Sequence, residues 1–155
     1  ADAWKTAMAE EAEVAALRVM AEGGDASAMT DLGYAYRDGE QGLKKDATQA
    51  FTWFKRAADL KHVRGLTVCG ALYLNGWGVG RSDTRGLMML TAAATLGSEY
   101  ACGLLGRANE EGCWGLEQNP QEATRWYREM QKCEESHDCH EDFRGMAAAW
   151  LREYP

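Results

Sequence analysis

Proline is almost missing from this 155-residue chain, with only Pro120 and Pro155. Abundant Ala, Leu, Met, Glu and Arg accompany that scarcity, and both favour helix. Basic charge is also short: 17 Lys and Arg stand against 24 Asp and Glu, for a net charge of −7 and a pI of about 5.0. That balance excludes the basic footprint a nucleic-acid surface requires, and it argues equally against an anionic membrane surface. No apolar run approaches the ~20 residues a membrane-spanning helix needs, so no membrane insertion is expected. The chain opens "ADAWK", with neither an initiator Met nor a signal-peptide pattern, and reads as a piece of a longer protein or a processed form. No nucleophile–base pair falls at a motif-like spacing, and the carboxylates are scattered over helix faces as ordinary solvated charge. The five Cys are odd in number and irregular in spacing, unlike a dense extracellular disulfide framework, so a reducing compartment such as the cytoplasm is expected. With 46% hydrophobic and 26% charged residues, one folded domain is expected rather than a disordered segment.

Glycine, by contrast, is plentiful at 17, and it is clustered. The densest stretch, "YLNGWGVGRSD" at 73–83, raises the question of a phosphate cradle. Such a loop needs a preceding strand and, in its G-x-x-x-x-G-K-[ST] form, a Lys and a hydroxyl opening a helix. Neither is present, and "GWGVG" also fails G-x-G-x-x-G. Alignment of the chain with itself supplies another meaning. Gly33, Gly70 and Gly106 recur at intervals of 37 and 36, and Gly39, Gly76 and Gly112 keep the same intervals. Tyr36, Tyr73 and Asn109 follow suit, as do Gly42-Leu43, Gly78-Val79 and Gly115-Leu116. Asp46, Asp83 and Asn119 align, then Trp53, Leu90 and Trp126, if the middle copy has one residue fewer before Gly78 and one more, Gly80, after Val79. The stretch is then the second copy of a hinge between two helices.

Each copy reads as helix A, loop, helix B. In the first, helix A is expected over about 26–37 and helix B over about 47–60, where Ala50, Trp53, Phe54 and Ala57 make one apolar stripe. Asp46, Asp83 and Asn119 stand where helix B needs an N-cap, and Gln49 and Glu122 follow their caps as in a capping box. Pro120 fits the first helical position. Gly33, Gly70 and Gly106 fall inside helix A, where each costs roughly 1 kcal/mol against Ala. That recurrence points to helices approaching too closely for a side chain. Residues 4–21 read as a long amphipathic helix, helix B of a preceding partial repeat. Residues 142–154 read as a closing helix whose Trp150 and Leu151 cover the last repeat. The layout is a single domain over 1–155: a partial repeat helix at 4–24, repeats at 25–61, 62–97 and 98–133, and a C-terminal capping helix at 134–155.

The order Leu32-Gly33, Tyr36, Gly39, Gly42-Leu43, Asp46, Ala50, Trp53, Ala57-Ala58 resembles the Sel1-like repeat family, and "LYLNGWGVGRSD" is similar to that family's "LYxxGxGVxxD" core. Three copies match, from about Asp25 to Lys132. The middle copy departs by Gly86-Leu87 where the others carry Gln49-Ala50 and Glu122-Ala123, and the third by Asn109. The resemblance implies an all-α fold: a tetratricopeptide-like, right-handed α/α solenoid of antiparallel helix pairs whose concave face is lined by the A helices. It also implies an adaptor that binds a protein or peptide there, without catalysis, cofactor or metal.

The A-helix positions expected to face that groove are Thr30, Tyr34, Arg37, Asp38, Thr67, Leu74, Asn75, Arg107 and Glu110. Trp77 and Trp114 lie in the A-to-B loops, where each either anchors a partner or packs over the adjacent repeat. "CEESHDCHEDF" at 133–143 gathers Cys133, His137, Cys139 and His140. Its spacing matches no standard zinc pattern. A Cys133–Cys139 disulfide would need a turn between helices, and cysteine-rich members of the resembled family staple adjacent helices in that manner; the alternative is free thiols. Two further readings stay open: a regulatory or substrate-recruiting domain of a larger enzyme, and a metal or redox site at this Cys/His segment.

Overall fold

A computed structural model of the chain describes residues 2–133 and 141–154. Among the described residues there are eight helices and no strands: α1 (Ala3–Glu22), α2 (Ala26–Asp38), α3 (Ala47–Asp59), α4 (Val63–Asn75), α5 (Asp83–Thr95), α6 (Glu99–Glu111), α7 (Pro120–Lys132) and α8 (Glu141–Glu153). Each helix packs on the next, and α8 also reaches back to α6. This nearest-neighbour pattern is that of an α/α solenoid, with α2, α4 and α6 as A helices and α3, α5 and α7 as B helices.

The glycines inside the A helices mark the tightest packing. A Cβ on Gly33 would lie 2.7 Å from the Phe54 ring, on Gly70 2.9 Å from Leu90, and on Gly106 2.5 Å from the Tyr127 ring. Each glycine is therefore the seat for one large side chain of its own B helix, and Phe54, Leu90 and Tyr127 are fully buried there. That buried apolar area more than offsets the ~1 kcal/mol helix penalty of each glycine.

The same contacts correct the sequence alignment. Phe54, not Trp53, is the counterpart of Leu90, and Tyr127, not Trp126, is the third member. The reason lies in the middle loop, which is one residue shorter with no compensating insertion. Its N-cap is Ser82, whose hydroxyl accepts the Arg85 N–H at 3.4 Å, and Asp83 opens the helix instead of capping it. Asp46 and Asn119 cap α3 and α7 as expected, accepting from Gln49 and Glu122 at 2.9 and 3.1 Å. The cap backbone confirms the equivalence: Asp46 donates to the Tyr36 carbonyl, Ser82 to Tyr73 and Asn119 to Asn109, at 2.8–2.9 Å. Gly86 then aligns with Ala50 and Ala123, all buried. The apparent departure at Gly86 disappears, and a small residue occupies this position in every copy. Glu122 pairs with Arg125 at 3.1 Å in place of closing a capping box.

The terminal helices differ from the paired ones. α1 packs mainly on α2, burying Val14 and Ala21, and its Trp4, Met8, Val19 and Met20 are exposed. It is thus less cleanly two-sided than the amphipathic helix expected there. α8 lies over α6 and α7, with Ala147 buried and Trp150 and Leu151 against the core. The Trp150 indole N–H donates to Thr124 Oγ1 at 3.0 Å.

Candidate functional site

The A helices and their caps line a groove of about 570 Å³. Helix α2 contributes Ser27, Tyr34 and Arg37; α4 contributes Val63, Arg64, Thr67, Val68, Ala71 and Leu72, with its cap His62; Gly97, Ser98 and Tyr100 come from the start of α6. These residues recur by repeat position. Ser27, Arg64 and Tyr100 are one column at intervals of 37 and 36, and Tyr34 and Ala71 belong to another.

Packing fixes the polar edges. The Tyr34 ring meets Phe54 edge-on, with centroids 5.0 Å apart. The Arg37 guanidinium lies 4.6 Å from the Tyr34 ring centroid and forks onto both Asp38 oxygens at 2.8 and 2.7 Å. This hydrogen-bonded pair raises the Arg37 pKa and lowers that of Asp38. His62 caps α4 by accepting the Gly65 N–H on Nδ1 at 3.4 Å, with Nε2 3.5 Å from Ser27 Oγ. Burial, and then Arg64, holds the His62 pKa below its usual value, so the neutral ring that a cap requires is favoured.

Of the positions expected in the groove, Tyr34, Arg37 and Thr67 line it. Three were expected to be exposed and are buried. Thr30 is fully enclosed, with its hydroxyl donating to Ser27 O at 2.7 Å. Thr67 donates to Val63 O at 2.9 Å and lies 3.0 Å from Ser98 Oγ of the next repeat. Leu74 packs where a Cβ on Gly86 would lie 2.5 Å from its Cγ. The causes differ: Thr67 is covered by the adjacent repeat, where Ser98 lies, whereas Leu74 is covered within its own helix pair, because Gly86 lets α5 close on it. Asn75 is exposed and Asp38 clamps Arg37, while Arg107 pairs with Glu111 at 3.9 Å and Glu110 accepts the Tyr127 hydroxyl at 2.7 Å; none of these four lines the groove. Sequence reasoning missed His62, Arg64 and Tyr100. Extending the A-helix stripe one turn toward its N-terminus, to the Ser27 column, reaches two of them.

The loop residues are partly buried. Trp77 and Trp114 both pack against the core cluster. In the middle loop a Cβ on Gly78 would lie 2.1 Å from the Ala47 carbonyl oxygen, so that glycine is one of the points where the second repeat touches the first. Its φ is +71°. The stretch is an inter-repeat contact, not a phosphate loop.

Cys139, His137 and His140 lie outside the described residues, and with them the Cys133–Cys139 pairing. Cys133 caps α7 and donates its thiol to Glu129 O at 3.5 Å. Burial pushes the Cys69 and Cys102 thiols up to about 12, and it raises Cys113 and Cys133 as well. None of these four is an activated thiolate. Among the described residues no cluster of three or more His, Cys, Asp or Glu is arranged to hold a metal ion.

Comparison with known proteins agrees with this geometry. The Sel1 repeat family model matches residues 26–62, 66–98 and 99–130. A Sel1 repeat protein from Oxalobacter formigenes superposes with a TM-score of 0.66 at 30% identity, over 70% of this chain and 44% of that one. The c5321 protein, a protective antigen of uropathogenic Escherichia coli with an SLR fold, superposes with a TM-score of 0.72 at 34% identity, over 77% of this chain and 25% of that one. Over 69 residues the chain is 35% identical to the ERAD-associated E3 ubiquitin-protein ligase component HRD3A of Arabidopsis thaliana; this stretch is 44% of the chain and only 10% of that protein. The chain therefore spans less than half the length of each of these relatives.

Proposed function

The chain belongs to the Sel1 repeat family, and from that premise we propose that it is a non-catalytic adaptor holding a protein or peptide partner in the groove along α2, α4 and α6. Sel1 repeats are generally protein–protein interaction modules. The observation that carries the choice of face is the groove itself: about 570 Å³, lined by the apolar Val68, Ala71 and Leu72 together with Tyr34, Tyr100, Arg37 and Arg64. Apolar concavities edged by a few fixed polar groups are where ligands bind, and Tyr and Arg are prominent among residues that dominate binding energy.

The test is affinity capture with wild type, a Tyr34→Ala/Ala71→Arg double variant, and a control, Met88→Glu, at an exposed site on α5. Circular dichroism melts verify that each variant folds. Partners lost on the groove variant and retained on Met88→Glu support the reading. Partners retained on the folded groove variant place the binding elsewhere.

The similarity to a stretch of an E3 ubiquitin-ligase component supports a second, compatible reading. In it, this module recruits a regulator or substrate within a larger assembly.

A further inference from the structure

The geometry points to the outer face of α1 as a self-association surface, on which a second copy of this chain seats its own α1 in antiparallel fashion. This surface is separate from the groove and independent of its reading. Its basis is a stripe of Trp4, Met8, Ala12, Ala15 and Val19, all exposed. At about 100° per residue, these five side chains fall within roughly 80° of the helix circumference. Val14 and Ala21, the residues α1 buries, lie about 130° away. α1 therefore carries two apolar faces, and only one is covered among the described residues.

The stripe is not a feature of the repeat. α1 ends at Glu22 as α3, α5 and α7 end at Asp59, Thr95 and Lys132, so positions can be read across these helices. Where α1 has Ala12, Ala15 and Val19, α3 has Gln49, Thr52 and Arg56, and α7 has Glu122, Arg125 and Glu129. α5 keeps Arg85 there and exposes Met88 and Ala92. Trp4 and Met8 stand on added turns, since α1 has 20 residues and each of the other three has 13. Nor is the stripe the open end of the solenoid. A B helix meets its own A helix at the position of Gly86, which lies against Gly70 and Leu74. The α1 counterpart is Glu13, about 140° around the helix from the stripe. A further helix stacked in repeat fashion would cover Glu13 and leave the stripe bare.

A second copy is the occupant because the stripe is self-complementary. With a two-fold axis midway between residues 13 and 14, Met8 of each copy meets Val19 of the other, and Ala12 meets Ala15. Every contact then occurs twice, the isologous pattern of a closed dimer. The alanines allow close approach of the axes at the centre, and Trp4 reaches Gly23 of the other copy, where no side chain obstructs the indole. Glu11 and Arg18 share one flank of the stripe, and this register brings Glu11 of each copy within about 3 Å along the axis of Arg18 of the other. Arg18 donates from Nη2 to the Tyr36 hydroxyl at 2.8 Å, and a guanidinium has further N–H donors for a carboxylate. Trp4, Met8 and Val19 are 60%, 62% and 71% exposed. With the two alanines they present an apolar patch on the order of 400–500 Å², a size often functional on a monomer. Pairing two such patches buries about 1,000 Å², the lower bound for a specific interface, so the dimer is weak and reversible.

The experiment is sedimentation velocity from about 5 to 200 µM, the range suited to a small interface. Moderate salt screens the repulsion between two copies at net −7. The expected result is a sedimentation coefficient that climbs from monomer to dimer and stops there. Met8→Glu and Val19→Glu should each weaken association at least tenfold, with circular dichroism melts verifying that both fold. Met88→Glu, at the α5 counterpart of Ala15, should leave it unchanged. Orientation is read by placing the photo-cross-linker p-benzoylphenylalanine at position 4 instead of Trp4. It should link to residues 20–25, which lie about 24 Å or more away along the same helix and so can be reached only in another copy. Links to residues 1–8 of the other copy make the pair parallel and overturn the inference. Assemblies that grow past the dimer overturn it too, as does association indifferent to both stripe variants. A wild type still monomeric at the highest concentration also overturns it, and leaves the stripe to a helix of another protein or of a longer chain.

Discussion

Replacing Gly78 with Ala should cost far more stability than the same change at Gly42 or Gly115, its counterparts in the first and third loops. All three sit at similar positive φ, +76°, +71° and +79° for Gly42, Gly78 and Gly115. The backbone penalty for placing Ala there is therefore shared, at roughly 1–2 kcal/mol, offset by about 0.4–1 kcal/mol from a stiffer unfolded chain. A net cost of about 1 kcal/mol is expected at Gly42 and Gly115, where nothing lies within 4 Å of the added methyl. At Gly78 the methyl would stand 2.1 Å from the Ala47 carbonyl oxygen and 2.7 Å from its carbon. Neither atom can swing away, because both belong to the first turn of α3. The loop must back off from the adjacent repeat, and overpacking of this kind adds about 1–3 kcal/mol. The sum is about 2–4 kcal/mol, and for a domain of this size each 1 kcal/mol lowers Tm by about 2–4 °C. Thermal melts followed at 222 nm should place Gly42→Ala and Gly115→Ala about 2–4 °C below wild type, and Gly78→Ala roughly 5–15 °C below. A Gly78→Ala melt indistinguishable from the other two would refute the argument that this glycine is where the second repeat seats on the first.

Three further outcomes are expected. Ser82→Ala should lower stability by about 1 kcal/mol by removing the α5 cap, and Asp83→Ala by distinctly less, since Asp83 contributes only to the helix dipole and to an exposed pair with Arg81; urea titration separates them. Arg144→Ala should cost about 2 kcal/mol in the same titration, because the Glu99 carboxylate, 2% exposed, would lose the guanidinium that joins α8 to α6; Arg144→Lys should recover part of it. His62 is held neutral by burial and by Arg64, so the unfolded chain takes up the proton more readily than the folded one. Its contribution is present above the ordinary histidine value of about 6.5 and is lost as pH falls from there through the lowered value of the folded state. The difference in Tm between wild type and His62→Ser should therefore widen against wild type from pH 7.5 to 5.5, and a constant difference would contradict the role of His62 as a cap.

The sequence disclosed the repeat, its loops and most caps because each is a local requirement written at a fixed interval. Gly33, Gly70 and Gly106 announced close approach through a helix cost repeated three times. What they approach was legible only in part. Helix B carries two adjacent large residues, Trp53-Phe54 and Trp126-Tyr127, and a one-residue uncertainty in the middle loop selects the wrong member of each pair. The same shift hid that Gly86 lets α5 close on Leu74, and Thr67 was misjudged for a different reason. A helical stripe describes how one helix meets one neighbour, and the second neighbour of an A helix is a repeat away. The bond between Thr67 and Ser98, 31 residues apart, exists only in the stack. The groove shares that origin. Its arginines belong to different repeats, and neither is unusual within its own copy.

The short middle loop ties these observations together. With one residue removed between Gly76 and Gly78, the second hinge draws in far enough for Gly78 to rest on Ala47 of the first repeat, a contact its two counterparts do not make. Ser82 then takes the cap, Asp83 becomes the first helical residue, and α5 begins one position earlier against the A-helix frame. That shift brings Gly86 beneath Leu74 and Leu90 onto Gly70. The small residue at Gly86 is therefore a consequence of the loop and not a lapse from the repeat. It lets α4 and α5 close with Leu74 turned inward. With Leu74 buried in this interface, Arg64, Val68 and Ala71 are among the α4 residues left to line the groove. Lengthening the loop by one residue before Gly78 would relax the seat on Ala47, whereas Arg64 is held at the other end of α4, where a Cβ on Gly65 would lie 2.8 Å from Ala57 Cβ.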